Sequence, residues 1–171
     1  MTISNDVFRR AMGCFATGVT VVTTAGENDV PYGLTVSAFT SVSLNPPMVA
    51  VCLNKGLSGL RAFQESGKFG VNILSKDQEA VSRHYSTKGT DRTAFLDGKG
   101  TTGVPLIRAS MACLECSVVD SFEQGDHLVL FGEVEHASFP DFGREVEPLL
   151  YFVGEYWKLG DKNTRERSTA E

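Results

Sequence analysis

The sequence predicts a mainly β fold, an antiparallel barrel with a few added helices. Strands are indicated where β-branched and apolar residues run together, at 19–24, 48–53 and 69–74. Two longer strands, at 111–122 and 127–139, are separated by a turn that contains Gly125 and Asp126, which is typical of a β-hairpin. Short helical segments lie between the strands. Hairpin connections of this kind favour an antiparallel barrel.

The first part of the chain predicts one helix followed by strands. A helix is expected over 5–15, because Ser4 or Asn5 can cap it and apolar side chains recur along one side. Those side chains are Val7, Phe8, Ala11, Met12 and Phe15. The strand at 19–24 leads through a polar turn at 26–29 into a second strand at 32–36.

The rest of the chain predicts two short helices, a long loop and a final strand. One helix is expected at 58–66, capped by Ser58 and closed by Gly67. The run Ser75-Lys76-Asp77-Gln78 has a capping-box pattern and predicts a second helix to about residue 85. Residues 86–105 are polar and rich in glycine, which indicates a functional or mobile loop. A strand at 149–153 and a charged, frayed tail at 160–171 complete a single domain whose core spans 8–157.

Composition and charge exclude several classes of protein. The 171 residues are 42% hydrophobic and 22% charged, as expected for one ordinary globular domain. The net charge of -5 argues against a nucleic-acid binder, which needs clustered Lys and Arg. No apolar run reaches the ~20 residues that cross a bilayer, and the first residues do not resemble a secretory signal. We therefore expect a cytoplasmic protein that binds neither nucleic acid nor membrane.

The Cys113-x-x-Cys116 pair allows either a metal or redox site or two structural thiols. The surrounding residues indicate a strand, on which positions three apart point to opposite faces, so the sulfurs should diverge. Cys14 and Cys52 lie in apolar stretches and are interpreted as small core residues. We expect no metal site.

The segment 33–47 has the composition of a backbone that lies against a flat, polar-edged ligand. Gly33 permits close approach of the main chain. Short hydroxyls follow at Thr35, Ser37, Thr40, Ser41 and Ser43, and they can bind heteroatoms without adding charge. Asn45-Pro46-Pro47 ends the extended segment, because proline lacks a donor and restricts its neighbour.

The turn at 54–58 offers groups that could bind a phosphate. Asn54, Lys55, Gly56 and Ser58 combine a lysine, a glycine-containing turn and a predicted helix start. The alternative is an ordinary helix cap with a solvated lysine.

His127 is the strongest single candidate for chemistry. It begins a strand directly after the Gly125-Asp126 turn, where an imidazole can bond a carboxamide or stabilise developing charge near neutral pH. The alternative is a surface histidine at a turn. His84 and His136 are interpreted as solvent-facing.

Three motifs in order closely resemble the flavin reductase-like family of NAD(P)H:flavin oxidoreductases. They are the run from Phe15-Ala16-Thr17-Gly18 to Thr24, the segment from Gly33 to Pro47, and Gly125-Asp126-His127. The resemblance covers about 8–157. It implies a split-barrel flavin-binding fold, an antiparallel six-stranded Greek-key-like barrel, in a homodimer with flavin near the subunit interface. It also implies that FMN or FAD is reduced by NADH or NADPH and supplied to a larger oxygenase.

The resemblance assigns particular residues to these ligands. The flavin-contacting positions are Thr35, Val36, Ser37, Ser41, Cys52, Leu53, Asn54, Lys55 and Ser58, the last three near phosphate. His127 matches a histidine beside the nicotinamide. Arg92 matches a basic residue that meets the flavin or its phosphate, although the aromatic residue expected next is replaced by Thr93-Ala94, and an exposed arginine is the alternative. Tyr151 and Tyr156 match a closing aromatic motif, of which one residue can stack on a ring.

Several possibilities stay open on the sequence alone. No Gly-x-Gly-x-x-Gly follows a strand, so a nicotinamide dinucleotide would have to share the groove of the flavin. A non-enzymatic FMN-binding protein is the alternative to a reductase, and a pyridoxine-phosphate oxidase is disfavoured by the few basic residues. No signature separates FMN from FAD, NADH from NADPH, or a tight cofactor from a diffusing flavin, and none identifies the oxygenase.

Overall fold

The computed structural model describes residues 3–57, 59–139 and 146–159. The helices are α1 (Asn5–Gly13), α2 (Leu60–Glu65) and α3 (Glu79–Ser86). The strands are β1 (Thr17–Gly18), β2 (Thr20–Ala25), β3 (Pro31–Val36), β4 (Phe39–Leu44), β5 (Pro47–Asn54), β6 (Lys68–Ile73), β7 (Leu96–Lys99), β8 (Pro105–Ile107), β9 (Ala112–Gln124), β10 (His127–Ser138), β11 (Leu150–Phe152) and β12 (Glu155–Trp157). A short 3₁₀ turn, Glu27–Asp29, joins β2 to β3.

Seven strands form one antiparallel sheet in the order β3-β2-β6-β9-β10-β5-β4. The prediction of a mainly β, antiparallel fold is confirmed, but a closed six-stranded barrel is not observed. Within the described residues no ladder joins the edge strands β3 and β4, because the chain turns at Ser37 and Ala38 before β4 begins. The sheet therefore curls without closing.

Two apolar clusters cover the two faces of the central strands. Val22, Phe63, Phe69 and Leu130 belong to one cluster. Val21, Leu74, Tyr85 and Leu149 belong to the other. Neighbouring residues of β2 thus enter different clusters, since strand side chains alternate between faces. This explains why the β-branched run in β2 is buried on both sides.

Two buried polar side chains connect the sheet to the segment before β9. Asn72 is fully buried, donates to Val21 O at 2.9 Å and accepts from Ile107 N at 2.8 Å. Glu115 is 1% exposed and accepts from the main-chain N–H groups of Thr101 and Thr102 at 3.0 and 2.6 Å. Because buried polar groups are costly when unpaired, these contacts hold the β7–β8 region in place.

The helices begin and end differently from the sequence expectation. Ser4 caps α1 as predicted, its Oγ accepting from Val7 N at 3.3 Å, but the helix ends at Gly13. α2 begins at Leu60 after Gly59 without a side-chain cap, and Ser58 lies outside the described residues. Gly67 closes it at φ 67°.

The capping-box prediction is wrong in its boundary, since α3 begins only at Glu79. The Gln78 side chain accepts from Ser75 N at 2.9 Å and donates to Arg108 O at 2.8 Å. It therefore anchors the connection to a distant loop, and the helix starts at Glu79, three residues later than the capping box predicts.

The predicted hairpin is confirmed, and the short strands β1, β7, β8 and β12 were missed. β9 and β10 form the expected hairpin, with Gly125 at φ 58° in its turn. The region at 86–105 is not a plain loop, because it contains β7 and the first residue of β8, which pair with each other. The last predicted strand is β11, and it pairs with the unpredicted β12. The tail at 160–171 lies outside the described residues.

The cysteine pair lies on a strand, as predicted. Cys116 is fully buried in the cluster with Phe69, and burial raises the pKa of its thiol to about 12. Cys113 Sγ lies 3.4 Å from Asn72 Oδ1 and also has a raised pKa, mainly because it is buried. The two thiols thus have different surroundings. The expectation of a core position is wrong for Cys14, which is exposed, and Cys52 is half-buried.

No helix within the described ranges has the length and apolar character needed to cross a membrane.

Candidate functional site

A groove of about 770 Å³ lies between α1 and the β4–β5 edge of the sheet. We call it the apolar groove, since most of its wall is hydrocarbon. Its wall includes Phe8, Met12, Phe15, Ala38, Phe39, Ala50 and Cys52. The apolar side of α1 is not part of the core: Phe8, Met12 and Phe15 are 55%, 51% and 69% exposed. A groove of this size, with few polar groups, is typical of sites for flat organic ligands.

A second cavity of about 580 Å³ adjoins the groove. We call it the serine cavity, because Ser37, Ser82 and Ser86 line it together with Glu79, Arg83, Glu155 and Tyr156. Ser37, Tyr151 and Gly154 line both spaces, so the two lie side by side and share one wall. One elongated ligand can therefore place an apolar part in the groove and a polar part in the serine cavity.

The three predicted residues at the end of β3 have different environments. Thr35 lines the serine cavity, and its hydroxyl donates to Ser82 O at 2.6 Å, which ties β3 to α3. The Val36 side chain is buried in the core at 6% exposure, so it offers a ligand only its main chain. Ser37 is exposed at the junction of groove and cavity. Of the three, its hydroxyl is the one placed to meet both parts of a ligand.

The predicted residues of β4 and β5 are also divided between core and groove. Cys52 and Thr40 line the groove, whereas Ser41 lines neither cavity. Leu53 is fully buried, because it alternates with Cys52 along β5 and faces the core. The structure therefore brings Cys52, but not the side chains of Ser41 or Leu53, to the groove.

The turn after β5 is fastened to the hairpin turn. Asn54 Oδ1 accepts from Gly56 N at 2.8 Å, and Lys55 N donates to Asp126 O at 2.9 Å. Lys55 Nζ forms an ion pair with Glu123 at 2.9 Å. The lysine charge is thus partly neutralised, although the pair is exposed and can open to a stronger anion at modest cost. Ser58, the remaining predicted residue of this turn, lies outside the described residues.

His127 is held by its neighbour in the turn. Nδ1 lies 2.7 Å from Asp126 Oδ1, and because a carboxylate only accepts, Nδ1 carries the proton. The hydrogen bond and charge of His127 lower the pKa of Asp126. Among the residues that the structure describes, none forms a hydrogen bond with Nε2, so this nitrogen can accept one from a ligand. Across the strands, His127 pairs with Asn54 and Val129 pairs with Cys52. Because Asn54 lies two residues after Cys52 and so points to the same face, the imidazole lies on the groove face of the sheet.

The other two histidines differ from each other. His136 is exposed, as predicted. His84 is half-buried, contrary to the prediction, because its ring packs edge-on against Tyr85 and Phe95 and Nε2 donates to Asp91 O at 2.6 Å. Its role is to hold the loop after α3.

Arg92 packs on Tyr32, a residue of β3. Its guanidinium stacks 4.7 Å from the centre of the Tyr32 ring. A side chain on Gly59 would collide with that ring, so Tyr32 and Arg92 lie next to the start of α2. Arg92 is thus near the predicted phosphate-binding turn.

The predicted tyrosines form the wall between the two cavities. Tyr151 and Tyr156 pack edge-to-face at 5.3 Å between ring centres. Tyr156 OH lies 2.8 Å from Ser82 Oγ, and the Arg83 guanidinium lies 4.8 Å from the centre of the Tyr156 ring. A wall of this kind gives a planar ligand a stacking surface.

The sequence reasoning missed the contributions of Glu79, Arg83 and Glu155, and it did not identify α1 as a groove wall. Glu79 and Arg83 have the i,i+4 spacing of a helix-surface ion pair, which by itself indicates only a solvated face. Glu155 lies on an unpredicted strand. The unusually apolar face of α1 was the one available signal for its place in the groove.

Fold and site together define a class: an antiparallel β protein with an apolar groove suited to a flat ligand, and with hydroxyl groups and one oriented histidine at its border. The sequence profile of the flavin reductase like domain matches residues 12–160, which is most of the chain. The protein belongs to the flavin reductase-like family.

Relatives and solved structures agree with this membership. The reductase subunit HsaB of a flavin-dependent monooxygenase from Mycobacterium tuberculosis is 37% identical over 163 residues, 95% of this chain and 86% of the relative. An NADH-dependent flavin reductase from a Rhodococcus species is 39% identical over 155 residues, 88% of this chain and 84% of the relative. The structure of SgcE6, an NADH:FAD oxidoreductase of Streptomyces globisporus in complex with NAD and FAD fragments, has a TM-score of 0.84 at 34% identity and covers 95% of this chain and 99% of that one.

Proposed function

We propose that the protein is an NADH-dependent flavin reductase that transfers hydride to FMN or FAD and supplies reduced flavin to a separate monooxygenase. The observation that carries this proposal is the apolar groove, which has His127 on the same face of the sheet. The relatives named NADH-dependent flavin reductase and monooxygenase reductase subunit support the donor and the destination of the flavin.

The apolar groove fits an isoalloxazine ring. Such a ring needs apolar contact on its faces and hydrogen bonds at its edge, and the groove combines hydrocarbon walls with the hydroxyls of Ser37 and Thr40. The main chain of 35–38, which lies between two edge strands, adds further donors and acceptors. Flavin bound there supplies the hydride acceptor.

The protein's own residues then align the donor. Asp126 keeps the Nδ1 proton of His127 in place and so presents Nε2 to the groove face. There Nε2 can accept a hydrogen bond from the nicotinamide carboxamide and so orient the ring for hydride transfer. The phosphate of the flavin is assigned to the turn at 54–58. Lys55 leaves Glu123 to bind it, and Arg92 lies near the same turn.

The protein is further proposed to act as a homodimer. The groove face of the sheet continues across β10 and β9 as Cys52, Val129 and Phe122, which are paired in register. Phe122 is 47% exposed and stacks on Phe131 at 5.6 Å. An exposed apolar surface that borders a ligand groove is suited to a second copy of the chain, which would also exclude water from the flavin.

The proposed function is tested with purified protein, NADH and flavin. NADH oxidation should depend on added FMN or FAD, and reduced flavin should reach a monooxygenase that is added separately. Spectral change of bound FMN without any NADH oxidation would instead identify a non-enzymatic flavin-binding protein.

A further inference from the structure

The serine cavity carries more negative than positive charge. Of its lining residues, all of them in the described part of the chain, Glu79 and Glu155 are acidic and Arg83 is the single basic residue. The other lining groups are hydroxyls, aromatic rings and small side chains. A ligand that enters from the groove therefore meets a cavity with a net negative charge.

Arg83 offsets Glu155 only in part, because its charge is shared with Glu79. The two side chains are one helical turn apart on α3, and both Nε and Nη2 of Arg83 lie 2.7 Å from Glu79 Oε1. The guanidinium is further oriented by stacking on Tyr156. Its charge is thus shared with a carboxylate before any ligand arrives.

Glu155 is the first residue of β12, and it is exposed beside Tyr156. Within the described residues no cation lies at ion-pair distance from its carboxylate, whereas Lys76, Lys55 and Arg83 are each paired with another acid. An unpaired carboxylate accepts hydrogen bonds from a ribose diol and repels a phosphate.

We propose that the serine cavity binds the adenosine ribose of the dinucleotide and that Glu155 selects a free 2′-hydroxyl, which excludes NADPH. This inference rests on the proposed function. With the nicotinamide in the apolar groove, the rest of the dinucleotide continues past Ser37 and Tyr151 into the serine cavity. A 2′-phosphate there adds nearly two negative charges next to Glu155, and Arg83 has to leave Glu79 before it can bind that phosphate.

The test compares NADH with NADPH, with FMN as the acceptor, in the full chain and three variants. Glu155→Gln should lower the kcat/KM preference for NADH about tenfold, because one repelling charge is removed. Glu155→Arg should lower it further. Glu79→Gln should act in the same direction, since it frees Arg83 for the 2′-phosphate. Glu27→Gln, an exposed carboxylate in the turn between β2 and β3, is the matched control and should leave the ratio unchanged.

Binding provides an arm that does not need hydride transfer. Calorimetry should give ADP-ribose a higher affinity than its 2′-phosphate, and Glu155→Arg should reverse the order. If wild-type protein oxidises neither dinucleotide, the proposed function fails while this binding order still decides the inference. The inference would be overturned if both Glu155 variants kept the wild-type NADH:NADPH ratio of kcat/KM, or if ADP-ribose and its 2′-phosphate bound equally well. It would also be overturned if the Glu155 variants changed only the preference between FAD and FMN.

Discussion

At the scale of single residues, the assigned chemistry depends on one imidazole and the carboxylate that orients it. His127 has a defined tautomer because Asp126 accepts its Nδ1 proton at 2.7 Å. The pair forms within a two-residue turn, so the ring is oriented by local geometry, not by deep burial. This permits a substitution that removes the group with little damage to the fold.

We expect His127→Ala to lower the rate of hydride transfer at least about tenfold while flavin affinity changes little, because the hydrogen-bond acceptor that orients the nicotinamide carboxamide is lost. Stopped-flow absorbance of the flavin and fluorescence titration measure the two effects separately. His136→Ala, an exposed histidine on the same strand, is the control. A His127→Ala variant with wild-type transfer rates would remove the residue from the mechanism.

At the scale of elements, the buried carboxylate of Glu115 connects β9 to the turn between β7 and β8. Burial alone would raise its pKa, but the hydrogen bonds from Thr102 and Thr101 outweigh this and hold the pKa below 4.5. A side chain on Gly100 would collide with the carboxyl group, which explains the glycine at this position. The turn is thus built around a charged acid.

Glu115→Gln should lower the free energy of unfolding by about 2 kcal/mol, because an amide turns an N–H donor toward main-chain donors. Since the folded pKa of Glu115 is depressed, its contribution is complete above pH 4.5 and is lost as pH falls through the folded value. Urea unfolding at pH 7 and pH 3 measures both effects. The difference in free energy of unfolding between wild type and variant should be smaller at pH 3 than at pH 7. An equal difference at the two pH values, or no difference at pH 7, would contradict this account.

At the scale of the whole molecule, the exposed apolar surface predicts self-association. Phe122 is 47% exposed on the hairpin, and it lies on the face that continues from the groove. We expect light scattering to give twice the chain mass. Phe122→Asp should weaken the dimer at least about tenfold and lower flavin affinity with it, since an apolar contact is replaced by a charge.

Val30→Asp is the matched control for this change, because Val30 is also apolar and 44% exposed but lies at the turn before β3. It should leave the mass unchanged. A wild-type mass equal to one chain, or a Phe122→Asp variant that still dimerises normally, would refute the homodimer.

Local chemistry was predictable where it depends on neighbours in the chain. The Ser4 cap, the Gly125 turn, the glycine that closes α2 and the β9–β10 hairpin all follow from residues a few positions apart. Predictions failed where a distant partner intervenes. Gln78 donates to Arg108 O and delays α3, and the loop predicted at 86–105 pairs with itself as β7 and β8.

The site divides in the same way. The resemblance carried by residues 15–24, residues 33–47 and Gly125-Asp126-His127 predicted the family, which is confirmed. It did not tell which side chains face the groove, because Leu53 and Val36 alternate into the core while Ser37 and Cys52 face outward.

The sequence by itself determined the β-rich architecture, the turns, the capping of α1 and the family, since each depends on periodicity or on short runs of residues. Only the tertiary structure brought α1 against β5 to make the groove, and Glu155 of β12 beside Arg83 of α3 to set the charge of the serine cavity. α1 and β5 are about forty residues apart in the chain, and Glu155 and Arg83 are more than seventy apart. Contacts across such separations depend on how the whole sheet curls, and no local pattern encodes that.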